Sequence, residues 1–128
     1  MRFEGYWVYQ LLGESMDCLF CKIIDKSIES KIVYEDEHVI AFHDINPKAP
    51  IHILIIPKKH IATVNEVEIN DTSLMGHIIH TAKEIAQTEG INDEGYRLIF
   101  NVNPAGGQEV YHIHLHLLGG RQMTWPPG

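Results

Sequence analysis

Among 128 residues the sequence has only two cysteines and ten Lys or Arg, and no apolar run long enough to cross a bilayer. Each scarcity excludes something. Two cysteines cannot build a disulfide scaffold, and none is needed, because a single domain of this length buries an adequate core. Ten Lys and Arg against 17 Asp and Glu give a formal charge of −7, so the clustered positive charge that neutralises phosphates is missing and no nucleic-acid partner is expected. The most apolar sheet-like stretch, Ile51 to Ile56, is interrupted by His52 and falls short of the roughly 18 residues that span a membrane, so no membrane partner is expected either. There is no internal repeat and no low-complexity tract. Residues 1–15 hold Trp7-Val8-Tyr9 and Leu11-Leu12, split by Gln10 and followed by no small-residue cleavage site. They fit a secretory signal poorly, which points to a cytoplasmic location. They also lack periodicity and are expected to form a loosely ordered extension before a domain over residues 16–128.

Within that domain the apolar spacing defines the elements. Leu19, Phe20, Ile23 and Ile24 recur at helical intervals after Asp17, a candidate N-cap, and put Cys18 and Cys21 on neighbouring turns of a short helix. Lys31 to Glu35, His38 to Asp44 and Ile51 to Pro57 are β-branched or apolar runs divided by acidic, Asn-Pro and Ala-Pro punctuation, which predicts three successive strands. Leu74, Ile78, Ala82, Ile85 and Ala86 follow a three-four spacing that predicts one long helix, started by Asp71 or Thr72 and stopped by Gly90. Tyr96 to Val102 and Val110 to Leu118 read as two more strands, joined by the loop Asn103 to Gln108. Short links between consecutive strands favour an antiparallel five-stranded sheet with a helix on one face and the other face partly open, an α+β class.

The chemistry concentrates in the last strand. Three of the nine histidines, His112, His114 and His116, alternate with Ile113, Leu115 and Leu117. A period of two sends the aliphatic residues to the core and the imidazoles to the opposite face. An imidazole-rich solvated face is the bland reading, but strict alternation of three argues for function. One metal ion cannot take all three, because strand rise separates the first and third by roughly 13 Å while zinc–nitrogen bonds are about 2.0–2.1 Å. At least one imidazole is therefore available as a nucleophile or acid-base group. Gly106-Gly107-Gln108 can turn backbone N–H groups toward an anion, and Asn101 on the paired strand can add an amide donor, so a phosphate-sized site is expected.

These residues resemble the signature of the histidine triad (HIT) superfamily, and among its branches the nucleoside phosphoramidases called HINT. The likeness runs from about Asp17 to Gly128 through Phe42-His43-Asp44-Ile45, Ala49-Pro50-Ile51-His52, Ile56-Pro57-Lys58-Lys59-His60, Gly106-Gly107-Gln108 and the closing Gly119 to Gly128. The resemblance implies hydrolysis at the α-phosphorus of purine nucleoside phosphoramidates and related aminoacyl adenylates through a covalent nucleotidyl-histidine. It implies His114 as nucleophile, His116 on the phosphate, His112 orienting the site from the other side and His52 in proton relay toward the leaving amine. Asp44 would accept from the ribose hydroxyls. Phe20, Ile23, Phe42 and Ile45 would wall the base, although core packing is as good a reading for Ile23. Asn101, Gly107, Gln108 and Glu109 would contact phosphate, and His43 and Val110 belong to the same nucleotide-contacting set. The branch also implies a homodimer paired through the long helix and a strand, with the Trp125 to Gly128 tail reaching the partner's site. The chemistry requires no cofactor.

Two positions depart from the best-known animal members. Glu109 stands where those carry serine, and an ionised carboxylate can neither donate to phosphate nor approach it without repulsion. It suits either a cationic leaving group or a plain surface role. The cysteine pair matches instead another branch, in which Cys-x-x-Cys and two histidines hold structural zinc. That match gives Cys18, Cys21, His60 and His112 as a closed four-ligand set, and His112 would then be no free base. The alternative is two unligated thiols packed on a short helix. Competing functions are a dinucleoside polyphosphate hydrolase, and a nucleotide-binding or zinc-stabilised interaction protein in which hydrolysis is incidental.

Overall fold

The computed structural model describes residues 17–128, so the expected extension over residues 1–15 and the domain start at residue 16 lie outside the described residues. The chain forms a short helix, α1 (Leu19–Ile24), then β1 (Ile32–Glu35), β2 (Val39–His43) and β3 (Ile51–Pro57), a long helix α2 (Thr72–Thr88), and finally β4 (Tyr96–Phe100) and β5 (Leu115–Gly119). The strands make one sheet in the order β1-β2-β3-β5-β4, antiparallel at every pairing. This is the α+β arrangement expected. Among the described residues no helix is long and apolar enough to cross a membrane.

The sheet has two different faces. Val39, Ala41, Ile53, Ile55, Leu115 and Leu117 pack against Ile78, Ala82, Ile85 and Ala86 of α2, which is the stripe the helical spacing predicts. Gly90 ends α2 as expected: at φ 77° it allows its own N–H to reach Gln87 O and that of Ile91 to reach Ala86 O, a paired C-terminal cap. The opposite face carries Ile40, Phe42, Leu54 and Ile56, covered at one end by Cys18, Phe20 and Ile23 of the α1 region and by Tyr111. Its remainder is left open by the described residues.

Two local expectations are corrected. Cys18, not Asp17, caps α1, its Sγ accepting the Cys21 N–H at 3.3 Å. The last strand is shorter than Val110 to Leu118, since pairing begins only at Leu115. Before it the chain leaves the ladder: the Ile113 N–H bonds to Ile61 O at 2.7 Å, and the His112 and His114 side chains bond to backbone carbonyls at 2.8 Å each. Side-chain donors that capture carbonyls in this way compete with strand pairing.

Candidate active site and thiol-imidazole cluster

On the open face lies a cavity of about 600 Å³. Phe20, Ile23, Phe42, His43, Asp44, Ile45, His52, Asn101, Gly107, Glu109, Val110, His114 and His116 all line it, so most of the expected site residues converge. Phe20 packs edge-on to Phe42 at 5.4 Å and to His114 at 5.1 Å between ring centres, fixing an aromatic corner beside the imidazole. Ile45 sits at the rim, 97% exposed, an apolar side chain that nothing among the described residues covers.

Hydrogen bonds to groups of fixed polarity decide the tautomers. His114 Nδ1–H donates to the His112 carbonyl at 2.8 Å, which leaves the lone pair on Nε2. His52 Nδ1 accepts the Lys48 backbone N–H at 3.0 Å, so in the neutral ring its proton is on Nε2. His52 Nε2–H then donates to His116 Nδ1 at 2.9 Å, and the His116 proton must sit on its own Nε2. That nitrogen is buried and has no partner among the described residues. The chain Lys48, His52, His116 therefore ends in a single N–H whose acceptor is missing, which is a site for an anionic oxygen. Asp44 Oδ2 stands 3.4 Å from His52 Nε2. The ligating atoms of Asp44, His52 and His116 are close enough to surround a cation, but the Lys48 N–H on His52 Nδ1 favours a proton chain over a metal.

Burial shapes the protonation of all three rings. It lowers His52, with Asp44 opposing and Lys48 adding to the shift. It lowers His114, against the bond to the His112 carbonyl. It takes His116 to about 4, reinforced by repulsion from His114 and His52. Near neutrality the imidazoles are uncharged, and the His114 lone pair is available.

His112 does not reach the cavity. It is fully buried beneath α1, its Nε2–H bonded to Pro57 O at 2.8 Å and its Nδ1 facing Cys18 Sγ at 3.4 Å, Cys21 Sγ at 3.6 Å and His60 Nδ1 at 3.1 Å. Cys21 Sγ lies 3.3 Å from His60 Nδ1. A tetrahedral ion with bonds of about 2.3 Å to sulfur and 2.0–2.1 Å to nitrogen has S···N edges near 3.6 Å and N···N edges near 3.3 Å, so the four atoms already outline such a shell. The Pro57 carbonyl fixes the His112 tautomer that leaves Nδ1 unprotonated, the outer-shell bond a ligating histidine needs. The neighbouring Cys21 thiol, with His112 and His60, holds the Cys18 thiol far down, at about 2, against burial. The residues fit a closed Cys2His2 centre.

The glycine loop is built otherwise than expected. The N–H groups of Gly106 and Gln108 bond to Asn103 O, and that of Gly107 to Pro104 O, so none of the three is offered to an anion. Gly107, at φ 82°, supplies a left-handed turn instead. Gln108 is buried and outside the cavity lining: its amide donates to Ala62 O and Val110 O and accepts the Asn103 N–H, stapling the loop. The Glu109 N–H, by contrast, has no acceptor among the described residues, and Glu109 lines the cavity without any ion pair there. Sequence reasoning missed Lys48, whose contribution is a backbone N–H and has no side-chain signal, and the lining residues Leu19, Ile28, Glu29 and Ser30.

Comparison with known proteins gives consistent matches. The HIT domain family matches residues 25–123. An uncharacterised HIT-like protein of Synechococcus elongatus is 53% identical over 114 residues, covering 89% of this chain and 99% of that relative. A 14 kDa zinc-binding protein of Zea mays is 54% identical over 112 residues, covering 86% of this chain and 87% of its own. Among solved structures, a HIT family hydrolase from Legionella pneumophila superposes with a TM-score of 0.86 at 62% identity, covering 88% of this chain and all of that one.

Proposed function

The chain belongs to the HIT domain family, and from that premise we propose that it hydrolyses purine nucleoside phosphoramidates through a nucleotidyl-histidine on His114. One observation carries the reading: His114 is buried, deprotonated at Nε2 by its bond to the His112 carbonyl, and lines a cavity that is also lined by His116, whose Nε2–H is without a partner among the described residues. The hydrolase among the solved structures supports it.

In this reading the base lies between Phe20, Ile23, Phe42 and Ile45, and the Asp44 carboxylate accepts from the ribose hydroxyls. His114 Nε2 attacks the α-phosphorus and the P–N bond breaks. His116 Nε2–H and the Glu109 N–H, with the Asn101 amide, stabilise the charge that builds on the phosphoryl oxygens. The departing amine takes a proton delivered along the His52–His116 pair. Water then attacks phosphorus, the same pair accepts the proton, and the monophosphate leaves with His114 regenerated. We assign zinc to Cys18, Cys21, His60 and His112 as a four-ligand site with no position for water, consistent with the name of the Zea mays relative. We further propose a homodimer that joins the β4 edges of two sheets.

Steady-state release of amine from an adenosine 5′-phosphoramidate tests the activity. Turnover by the wild type together with nucleotide trapped on His114 after a short quench supports the proposal. Binding of AMP with no turnover of any phosphoramidate assigns the protein to the binding class instead.

A further inference from the structure

One residue belongs to both halves of the site. His112 presents Nδ1 to the two cysteines and His60, while its backbone carbonyl receives the His114 Nδ1–H at 2.8 Å. A second bridge runs through α1: Phe20 lies between Cys18 and Cys21 in the chain, and its ring stands edge-on to both His112, at 6.1 Å, and His114, at 5.1 Å and 90°. Its ring is also a wall of the cavity. From this geometry we infer that the Cys2His2 cluster is a positioning device for the nucleophile: occupancy of that cluster fixes the His112 carbonyl, and the carbonyl fixes the tautomer and aim of His114.

The argument is one of rigidity. The segment holding His112 and His114 lies outside the β ladder, which begins only at Leu115. Its anchors are the Ile113 N–H bond to Ile61 O, the His112 bond to Pro57 O, and the thiol-imidazole cluster itself. Three of the cluster's four residues come from elsewhere in the chain, two from α1 and its N-cap and one from the segment after β3. When the four are tied to one ion, α1 and the 57–61 segment are both clamped to His112. Without the tie, the His112 peptide can rotate. A His114 ring that loses the carbonyl can place its proton on Nε2, and such a ring has no lone pair for phosphorus. Ribose recognition by Asp44 and the proton chain through Lys48, His52 and His116 are held by other elements and should survive. The predicted signature is therefore a loss in kcat with little change in nucleotide affinity.

The inference rests on the proposed metal site, and the test separates the two. His60 is the one ligand of the four that is distant in the chain from both His114 and Phe20, so His60→Ala should remove the ion without altering the residues that carry the carbonyl and the aromatic corner. His60→Asp supplies an oxygen two bonds beyond Cβ, as Nδ1 is, and should restore it. Metal content, AMP affinity, kcat on an adenosine phosphoramidate and the imidazole Nδ1–H resonance of His114 are measured on all three proteins. We expect His60→Ala to be metal-free, to bind AMP within about twofold of wild type, to lose at least tenfold in kcat and to show a broadened or absent Nδ1–H resonance. His60→Asp should recover both kcat and the resonance. If His60→Ala does not fold, stepwise chelation of the wild type followed by zinc add-back reads the same resonance and affinity. A metal-free protein that keeps wild-type kcat and the His114 resonance overturns the coupling while leaving the metal site intact. A wild type that carries no metal overturns both.

Discussion

At the scale of single residues, environment divides the labour among chemically identical imidazoles. His114 owes the lone pair on its Nε2 to one carbonyl, His116 owes its Nε2–H to a hydrogen-bond chain begun by a backbone N–H, and His112 is held out of the cavity altogether. His114→Ala should cut amine release by about three orders of magnitude or more while AMP still binds, because Asp44, Asn101 and His116 remain; isothermal titration beside an amine-release assay reads both. The acid limb follows from burial. An unperturbed imidazole titrates near 6.5, but the free protein holds His114 below that value and His116 at about 4. Protonation of His114 removes the attacking lone pair, so kcat/KM should persist below pH 6.5 and fall only as the lowered pKa is crossed. An acid limb at or above pH 6.5 in kcat/KM contradicts this assignment.

Between elements, the clearest brace is the Asp36 carboxylate at the turn from β1 to β2. Its Oδ1 accepts the His38 and Val39 N–H groups at 2.8 and 2.9 Å, and its Oδ2 accepts from His77 of α2 at 2.7 Å and Tyr34 at 2.8 Å. Burial pushes the carboxyl up, but these bonds outweigh it and hold the pKa well below the carboxylate range. A depressed folded-state pKa contributes stability above the unfolded value of about 3.9, and that contribution is lost as the pH falls further. Asp36→Ala should lower stability at pH 7 by about 1–3 kcal/mol, with the deficit shrinking as the pH falls below about 4, measured by urea denaturation at several pH values. Elements of this kind were unequally legible in the sequence. The α2 stripe, the Gly90 stop and the first four strands follow from periodicity and turn chemistry. The early part of β5 did not, because His112 and His114 satisfy carbonyls with side chains, an effect that alternation of apolar and polar residues cannot signal. Gln108 shows a related effect: it lies in the expected phosphate segment, yet its amide is taken up by Ala62, Val110 and Asn103. The four residues of the thiol-imidazole cluster, by contrast, were recoverable from the resemblance alone, since no local spacing links Cys18 to His60 and His112.

For the whole molecule, the two sheet edges are treated differently. β1 is four residues long, irregular between Ile32 and Tyr34, and flanked by the Glu35 ion pairs with Lys26 and Lys58, features that discourage further pairing. Among the described residues β4 has no such guard. Its five residues are all half-buried in the single chain, it lies at the other edge, and Ile79 of α2 is nearly half exposed. An unguarded edge beside an apolar helix face is what a symmetric pairing of sheets would cover, and sedimentation should give a stable dimer at micromolar concentration; a monomer there refutes it. The tail makes a further prediction possible. Arg121 grips the Lys48 carbonyl at 3.0 and 3.1 Å, and the Lys48 N–H sets the His52 tautomer, so the start of the tail braces the hydrogen-bond chain that ends at His116. Beyond it, Thr124 is held at β4 by Arg97 through its carbonyl, and Trp125 is 81% exposed. In a dimer paired along β4, that ring is placed at the seam, where the leaving group rather than the nucleotide of the neighbouring site would meet it. Deleting residues 122–128 keeps Arg121 and the relay, so AMP affinity should hold within about twofold while the ratio of kcat/KM between a bulky and a small leaving amine shifts by about tenfold, on the order of 1.4 kcal/mol. Loss of AMP affinity with an unchanged ratio would place the tail on the nucleotide instead.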